Sequence, residues 1–132
     1  MKHAKAVRRI IFTVLIVAAV IVGFNTYTAD YYHAKDYELQ TTEVSETDAY
    51  IAYGDPQSET GLIFYPGAKV EEISYAPLMK QLAANGLDCY LVTMPGNLAI
   101  FGMNKATDVM TAYKYKHWYI GGHSLGGAMA AS

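Results

Sequence analysis

The residues best able to do chemistry form one pentapeptide near residue 124, Gly122-His123-Ser124-Leu125-Gly126. It fits the pattern G-x-S-x-G, in which a serine occupies a sharp turn between a strand and a helix. An apolar run precedes the pentapeptide and the small-residue run LGGAMAA continues from it, as this turn requires. We therefore predict that Ser124 is a nucleophile and that Gly122 and Gly126 make room for the turn. An ordinary glycine-rich turn is the alternative interpretation.

A serine nucleophile of this kind needs backbone N–H donors for the oxyanion that forms on the substrate. One donor is expected to be Leu125, the residue after the serine. The other should come from a loop after an earlier strand, and FYPGAK at residues 64–69 fits that position. Gly67 allows the turn that would aim the N–H of Ala68, or alternatively of Lys69, at the oxyanion. A plain β-turn is the competing interpretation.

The elements that must position these residues follow from the alternation of apolar runs and turn residues. Short apolar runs predict strands, and periodic stretches predict helices. The first helix after the N-terminal segment has Ser74 as its predicted N-cap and Leu78, Leu82 and Ala83 on one apolar face. The strands are expected at residues 48–53, 61–65, 88–94 and 118–121, and the helices at residues 75–85, 106–115 and from 125 onward. This order predicts an α/β fold, a mostly parallel sheet with helices on both faces.

With these residues in place, the chain resembles the α/β-hydrolase fold family, in its lipase/esterase and dienelactone-hydrolase-like branch. The resemblance covers residues 43–132, the N-terminal half of that fold, and is strongest in IGGHSLGGAMAAS and in LIFYPGAKVEEISYAPLMKQLAANGLDCYLVTMPG. Tyr65-Pro66-Gly67 stands where many members carry His-Gly, a tolerable departure because the donor is a backbone N–H. The resemblance implies an acyl hydrolase that needs no cofactor and acts on an ester, thioester or amide.

The same resemblance requires an acid and a histidine that follow the serine in chain order. All four histidines lie at or before the pentapeptide, and no Asp, Glu or His follows Ser124. We expect the triad acid and base to lie beyond residue 132. Residues 43–132 would then be a partial α/β-hydrolase domain, inactive and only marginally stable on its own.

The chain opens with a membrane signal. Residues 1–9 carry four cations, and residues 10–24 read IIFTVLIVAAVIVGF without a charge. We predict a cytoplasmic basic N-terminus at residues 1–9, a single-pass transmembrane signal anchor at residues 10–27 and a juxtamembrane stalk at residues 28–42, with the hydrolase domain extracytoplasmic. A cleaved signal peptide, which would release a secreted protein, and a buried core helix are the alternatives.

Charge and cysteine content exclude other classes of protein. The net charge is −2, so the chain outside its four N-terminal cations carries −6, which argues against nucleic-acid binding. The single cysteine, Cys89, is predicted to be a buried small hydrophobe, and no metal-ligand spacing occurs. The sequence thus predicts a membrane-anchored serine hydrolase whose partners are a small-molecule acyl substrate and, through residues 10–27, the lipid bilayer. A non-catalytic membrane-anchored binding module on the same scaffold is the alternative.

Overall fold

The computed structural model describes residues 2–36, 45–55 and 58–132. It contains two compact units, Met1–Asp30 and Tyr31–Ser132. Stalk residues 37–42 and the predicted domain start at residue 43 lie outside the described residues.

The first unit is a single helix, α1 (Lys2–Ala29). Within its span His3–Ala29, an 18-residue window has a mean hydropathy of 2.3 and no buried residues. At 1.5 Å per residue, the 27 residues of the span are about 40 Å long, more than the roughly 30 Å of a bilayer core. The threonine hydroxyls are satisfied within the helix, since Thr13 and Thr26 donate to carbonyl oxygens one turn earlier, at 3.0 and 2.9 Å. By length and composition, α1 could cross a membrane.

The second unit is built on a five-stranded sheet in the order β1-β2-β4-β3-β5. The strands are β1 (Ser45–Glu46), β2 (Tyr50–Tyr53), β3 (Thr60–Tyr65), β4 (Asp88–Val92) and β5 (His117–Gly122). β3 lies between β4 and β5 and is parallel to both, whereas β2 is antiparallel to both β1 and β4. The prediction of a mostly parallel sheet is therefore wrong, because the sheet is mixed. β2 and β3 are joined by residues 54–59 and lie on either side of β4, and so short a connection cannot return the chain to the other end of the sheet, as two parallel strands require.

Helices cover both faces of this sheet. They are α2 (Ala76–Ala83), α3 (Lys105–Ala112) and α4 (Leu125–Ala130). Alternate residues of the central strands point to opposite faces, as the period of a strand requires. Ile63 and Tyr90 join the apolar cluster that contains residues of α3 and α4, while Cys89 and Leu91 join the cluster around α2.

Several local predictions need correction. Leu78 is 42% exposed, and α2 instead buries Ala76 and Met79. The N-cap of α2 is Tyr75 rather than Ser74. The helix predicted at residues 106–115 ends at Ala112, because the chain leaves the helix to pack the rings of Tyr113 and Tyr115 against the core.

Cys89 is fully buried, which confirms the prediction for it. Burial raises the pKa of its thiol to about 11.

Candidate active site

Ser124 lies at the junction of β5 and α4, where the chain passes from strand to helix. Its φ is 51° and its ψ is −122°, and the residue is exposed. A non-glycine residue with positive φ is uncommon, and holding one there costs of order 1–3 kcal/mol. The fold thus stores backbone strain at the one serine that the sequence predicts to be reactive.

The glycines on either side of the serine sit where no side chain fits. A Cβ on Gly122 would lie 2.6 Å from the carbonyl oxygen of Tyr65, and a Cβ on Gly126 only 2.2 Å from the carbonyl oxygens of Tyr65 and Pro66. These neighbours are backbone atoms, which cannot move aside as a flexible side chain can. Residues 122–126, the elbow, are therefore in direct contact with the end of β3.

Residues 66–69, the oxyanion loop, follow β3 and lie against this elbow. The N–H of His123 donates to the carbonyl of Tyr65 at 3.1 Å, which ties the elbow to the start of the loop. Because β3 and β5 are parallel and in register up to Tyr65 and Gly122, the loop and the serine meet at the same edge of the sheet. In open α/β sheets this carboxyl edge is where ligands bind.

The hydrogen bonds of the loop leave one N–H for a ligand. Gly67 donates to the hydroxyl of Tyr75 at 3.1 Å, and Lys69 donates to the carbonyl of Asn97 at 2.8 Å. Pro66 has no N–H. Within the described part of the chain, the N–H of Ala68 bonds to no acceptor. Of the two donors considered for this loop, Lys69 is already engaged, and Ala68 remains.

The buried side chain of Tyr65 fixes the start of the loop. Tyr65 is fully buried, and its hydroxyl donates to the carbonyl of Met103 at 2.8 Å and accepts from the N–H of Ala106 at 2.9 Å. Burial raises the pKa of this hydroxyl, so it stays protonated and keeps both bonds at physiological pH. The last residue of β3 is thereby anchored to the turn that begins α3.

Tyr75 belongs to this site, and sequence reasoning did not identify it. Its hydroxyl accepts from the N–H of Gly67 and lies 2.9 Å from Nδ1 of His123. It therefore touches both the oxyanion loop and the elbow. No motif or spacing marks a tyrosine at the start of a helix for such a role, because the contact joins three segments that are distant in sequence.

The four histidines lie in four different places. His3 is in α1, and His117 is the first residue of β5, at the opposite end of that strand from Ser124. His33 has its Nδ1 3.8 Å from a carboxylate oxygen of Glu71. Only His123 contacts the oxyanion loop, and its Nδ1 is occupied by the tyrosine hydroxyl.

A second group of hydrogen-bonded residues, one of them with a raised pKa, lies away from the serine. Asp88, the first residue of β4, is 3% exposed and accepts a 2.5 Å hydrogen bond from Tyr115, which also bonds to Tyr90 at 2.6 Å. Burial raises the pKa of Asp88, against the opposing effect of the Tyr115 hydrogen bond. Since Asp88 begins a strand whose far end faces the site, this network belongs to the packing of the core.

The connection after β4 carries two apolar side chains, Ile100 and Phe101, that are each more than half exposed. It contains two 3-10 turns, Pro95–Asn97 and Ala99–Phe101, the second of which packs against α4. The two side chains line an open groove of about 500 Å³ together with the polar residues Asn104, Lys105, Thr107 and Asp108. Neither Ser124 nor residues 66–69 line this groove.

Comparisons with known proteins agree with this architecture. The sequence model described as "Alpha/beta hydrolase family" matches residues 61–132. That range begins in β3 and includes the oxyanion loop, Tyr75 and the elbow. The search of curated proteins found no match, and neither did the search of solved structures.

Proposed function

The chain belongs to the alpha/beta hydrolase family, and from this premise we propose that it acts as a membrane-anchored serine hydrolase that forms an acyl-enzyme on Ser124. One observation carries the proposal: an exposed serine is held at positive φ between β5 and α4, next to a loop in which the N–H of Ala68 bonds to no acceptor among the described residues. Strained backbone of this kind persists only where the surrounding structure enforces it.

The chemistry is acyl transfer. Oγ of Ser124 attacks the carbonyl carbon of an ester, thioester or amide, and the carbonyl oxygen becomes an oxyanion. The N–H groups of Leu125 and Ala68 stabilise that charge, each contributing a factor of about 10²–10³ in rate. The leaving group departs, and water then releases the acid and restores the serine hydroxyl.

The proton of the serine needs a general base. Within the described residues, none of the four histidines of the chain hydrogen-bonds to the hydroxyl of Ser124. The histidine next to it in sequence, His123, bonds to Tyr75 instead. The triad histidine and its acid are therefore assigned to residues outside these 132.

The N-terminal helix supports the membrane assignment. α1 is long and apolar enough to span a bilayer once, and its first residues, 2–9, carry the four N-terminal cations. The positive-inside rule places residues 1–9 in the cytoplasm and the hydrolase domain on the other side of the membrane.

The test is covalent labelling of the full-length protein with a fluorophosphonate probe, together with hydrolysis of p-nitrophenyl butyrate. Ser124→Ala should abolish labelling and lower turnover on the order of 10⁶-fold. Ser132→Ala is the matched control, because this exposed serine only bonds back to Met129 within the last turn of the chain. Labelling that survives Ser124→Ala would show that another residue is the nucleophile. The absence of any labelling or hydrolysis in the wild type would favour the binding module.

A further inference from the structure

We propose that Tyr75 is a positioning residue that clamps the oxyanion loop to the elbow through its hydroxyl. The inference rests on the proposed function of Ser124, because it concerns the same oxyanion site. Its basis is one oxygen atom with two partners: Oη of Tyr75 is 3.1 Å from the N of Gly67 and 2.9 Å from Nδ1 of His123. These partners stand directly before Ala68 and Ser124 in the chain.

The clamp uses the tautomer of His123 that carries its ring hydrogen on Nε2. The N–H of Gly67 donates to the tyrosine oxygen, and the tyrosine donates its own hydrogen to Nδ1. Nδ1 is then the unprotonated nitrogen, and the ring hydrogen is on Nε2. One hydroxyl thus satisfies a backbone donor of the loop and a side-chain acceptor of the elbow.

The tyrosine is itself held in place. It is the N-cap of α2, and α2 is packed against the sheet. Its ring lies 5.1 Å from the ring of Phe64, centroid to centroid, on the same face. The hydroxyl is therefore a fixed point toward which the loop and the elbow are drawn, rather than a mobile surface group.

The clamp also explains why residue 67 is glycine. A Cβ at this position would lie 2.8 Å from Nδ1 of His123 and 3.0 Å from Oη of Tyr75. Glycine leaves space for the clamp but is also the most flexible residue of the backbone. Rotation about its two dihedrals would swing the next N–H, that of Ala68, away from the oxyanion. The bond to Tyr75 restrains that rotation.

Loosening an oxyanion donor should reduce the rate by less than the factor of about 10²–10³ that is lost when a donor is removed. In the full-length protein, Tyr75→Phe should lower kcat for p-nitrophenyl butyrate about tenfold, or about 1.4 kcal/mol of transition-state stabilisation. KM should stay unchanged, because the oxyanion exists only after substrate binds. The rate of fluorophosphonate labelling should fall by a similar factor.

Two comparisons separate positioning from general stability. Tyr50→Phe removes a hydroxyl hydrogen bond of similar length, 3.0 Å to Tyr113, on a strand two positions away from β3 in the sheet. It should lower Tm to a similar extent and leave kcat unchanged. His123→Leu removes the elbow side of the clamp but leaves the tyrosine and its bond to Gly67 intact, and it should cost part of the kcat that Tyr75→Phe loses. His123→Asn should restore most of the rate, since its Oδ1 can accept the tyrosine hydrogen.

The inference is overturned if Tyr75→Phe retains wild-type kcat, if Tyr50→Phe loses as much kcat, or if His123→Asn is no better than His123→Leu. Should Tyr75→Phe fail to fold, the two histidine variants decide the matter alone. Failure of the proposed function looks different, because either Ser124→Ala would retain hydrolysis and labelling or the wild type would show neither. If Ser124→Ala is inactive and Tyr75→Phe is fully active, the clamp is rejected and the proposed function stands.

Discussion

Gly126→Ala is expected to separate the oxyanion loop from the elbow. The added Cβ would stand 2.2 Å from two carbonyl oxygens, those of Tyr65 and Pro66. Ordinary contacts begin near 3.4 Å, so the loop and α4 must move apart by about 1.2 Å. A misplacement of about 1 Å costs on the order of 10²-fold in rate. We therefore expect kcat/KM to fall about 10²-fold, while overpacking lowers the free energy of unfolding by about 1–3 kcal/mol.

The assay needs a control that weakens α4 equally without moving the loop. Ala128→Gly provides it, because residue 128 is exposed and an interior glycine costs a helix about 1 kcal/mol. Hydrolysis of p-nitrophenyl butyrate gives kcat/KM for both variants, and urea unfolding gives their stability. Both should lose stability, and only Gly126→Ala should lose the larger part of its activity.

Two results would refute this reasoning. Wild-type kcat/KM in Gly126→Ala would mean that the loop and the elbow need not touch for catalysis. An equal loss in Ala128→Gly would mean that activity follows the stability of α4 rather than the position of the loop.

Two further predictions concern the rest of the chain. The protein expressed with its natural start should remain in the membrane fraction after a carbonate wash, because α1 is long and apolar enough to span the bilayer; a soluble product that begins near Asp30 would instead indicate a cleaved signal. Cys89 should resist alkylation by iodoacetamide at pH 8 until the domain is unfolded, because its thiol is fully buried with a pKa of about 11; rapid alkylation of this residue in the folded protein, mapped by peptide mass, would contradict its burial.

Local pattern predicted the elements and the helices on both faces of the sheet, but it missed the antiparallel direction of β2. The apolar runs of β3 and β4 lie in buried or half-buried strands, whereas β5 leaves Tyr119 and Ile120 exposed, and turn residues mark where the strands end. The direction of β2 depends on which strand it pairs with, and its partner β4 lies some 35 residues away in sequence. Leu78 has the right spacing for a buried face, but the docking angle of α2 buries Ala76 and Met79 instead.

In the candidate site, too, local features could be predicted from the sequence and long-range contacts could not. The elbow could be predicted because its signal is local: a serine between two glycines, a strand before it and a helix after it. The selection of Ala68 over Lys69 is not local, because it depends on the carbonyl of Asn97 accepting the N–H of Lys69.

The strain at Ser124 shows why the supporting contacts matter as much as the motif. A positive φ at a serine costs of order 1–3 kcal/mol, and a pentapeptide alone would relax it. Here the carbonyl of Tyr65 accepts from His123 on one side of the turn, and the glycine at 126 packs against the same carbonyl on the other. That carbonyl belongs to a strand whose end is fixed by the buried hydroxyl of Tyr65. The serine is therefore held by β3 as much as by its own turn, and a substitution that loosens the end of β3 should reduce activity even though it leaves G-x-S-x-G intact.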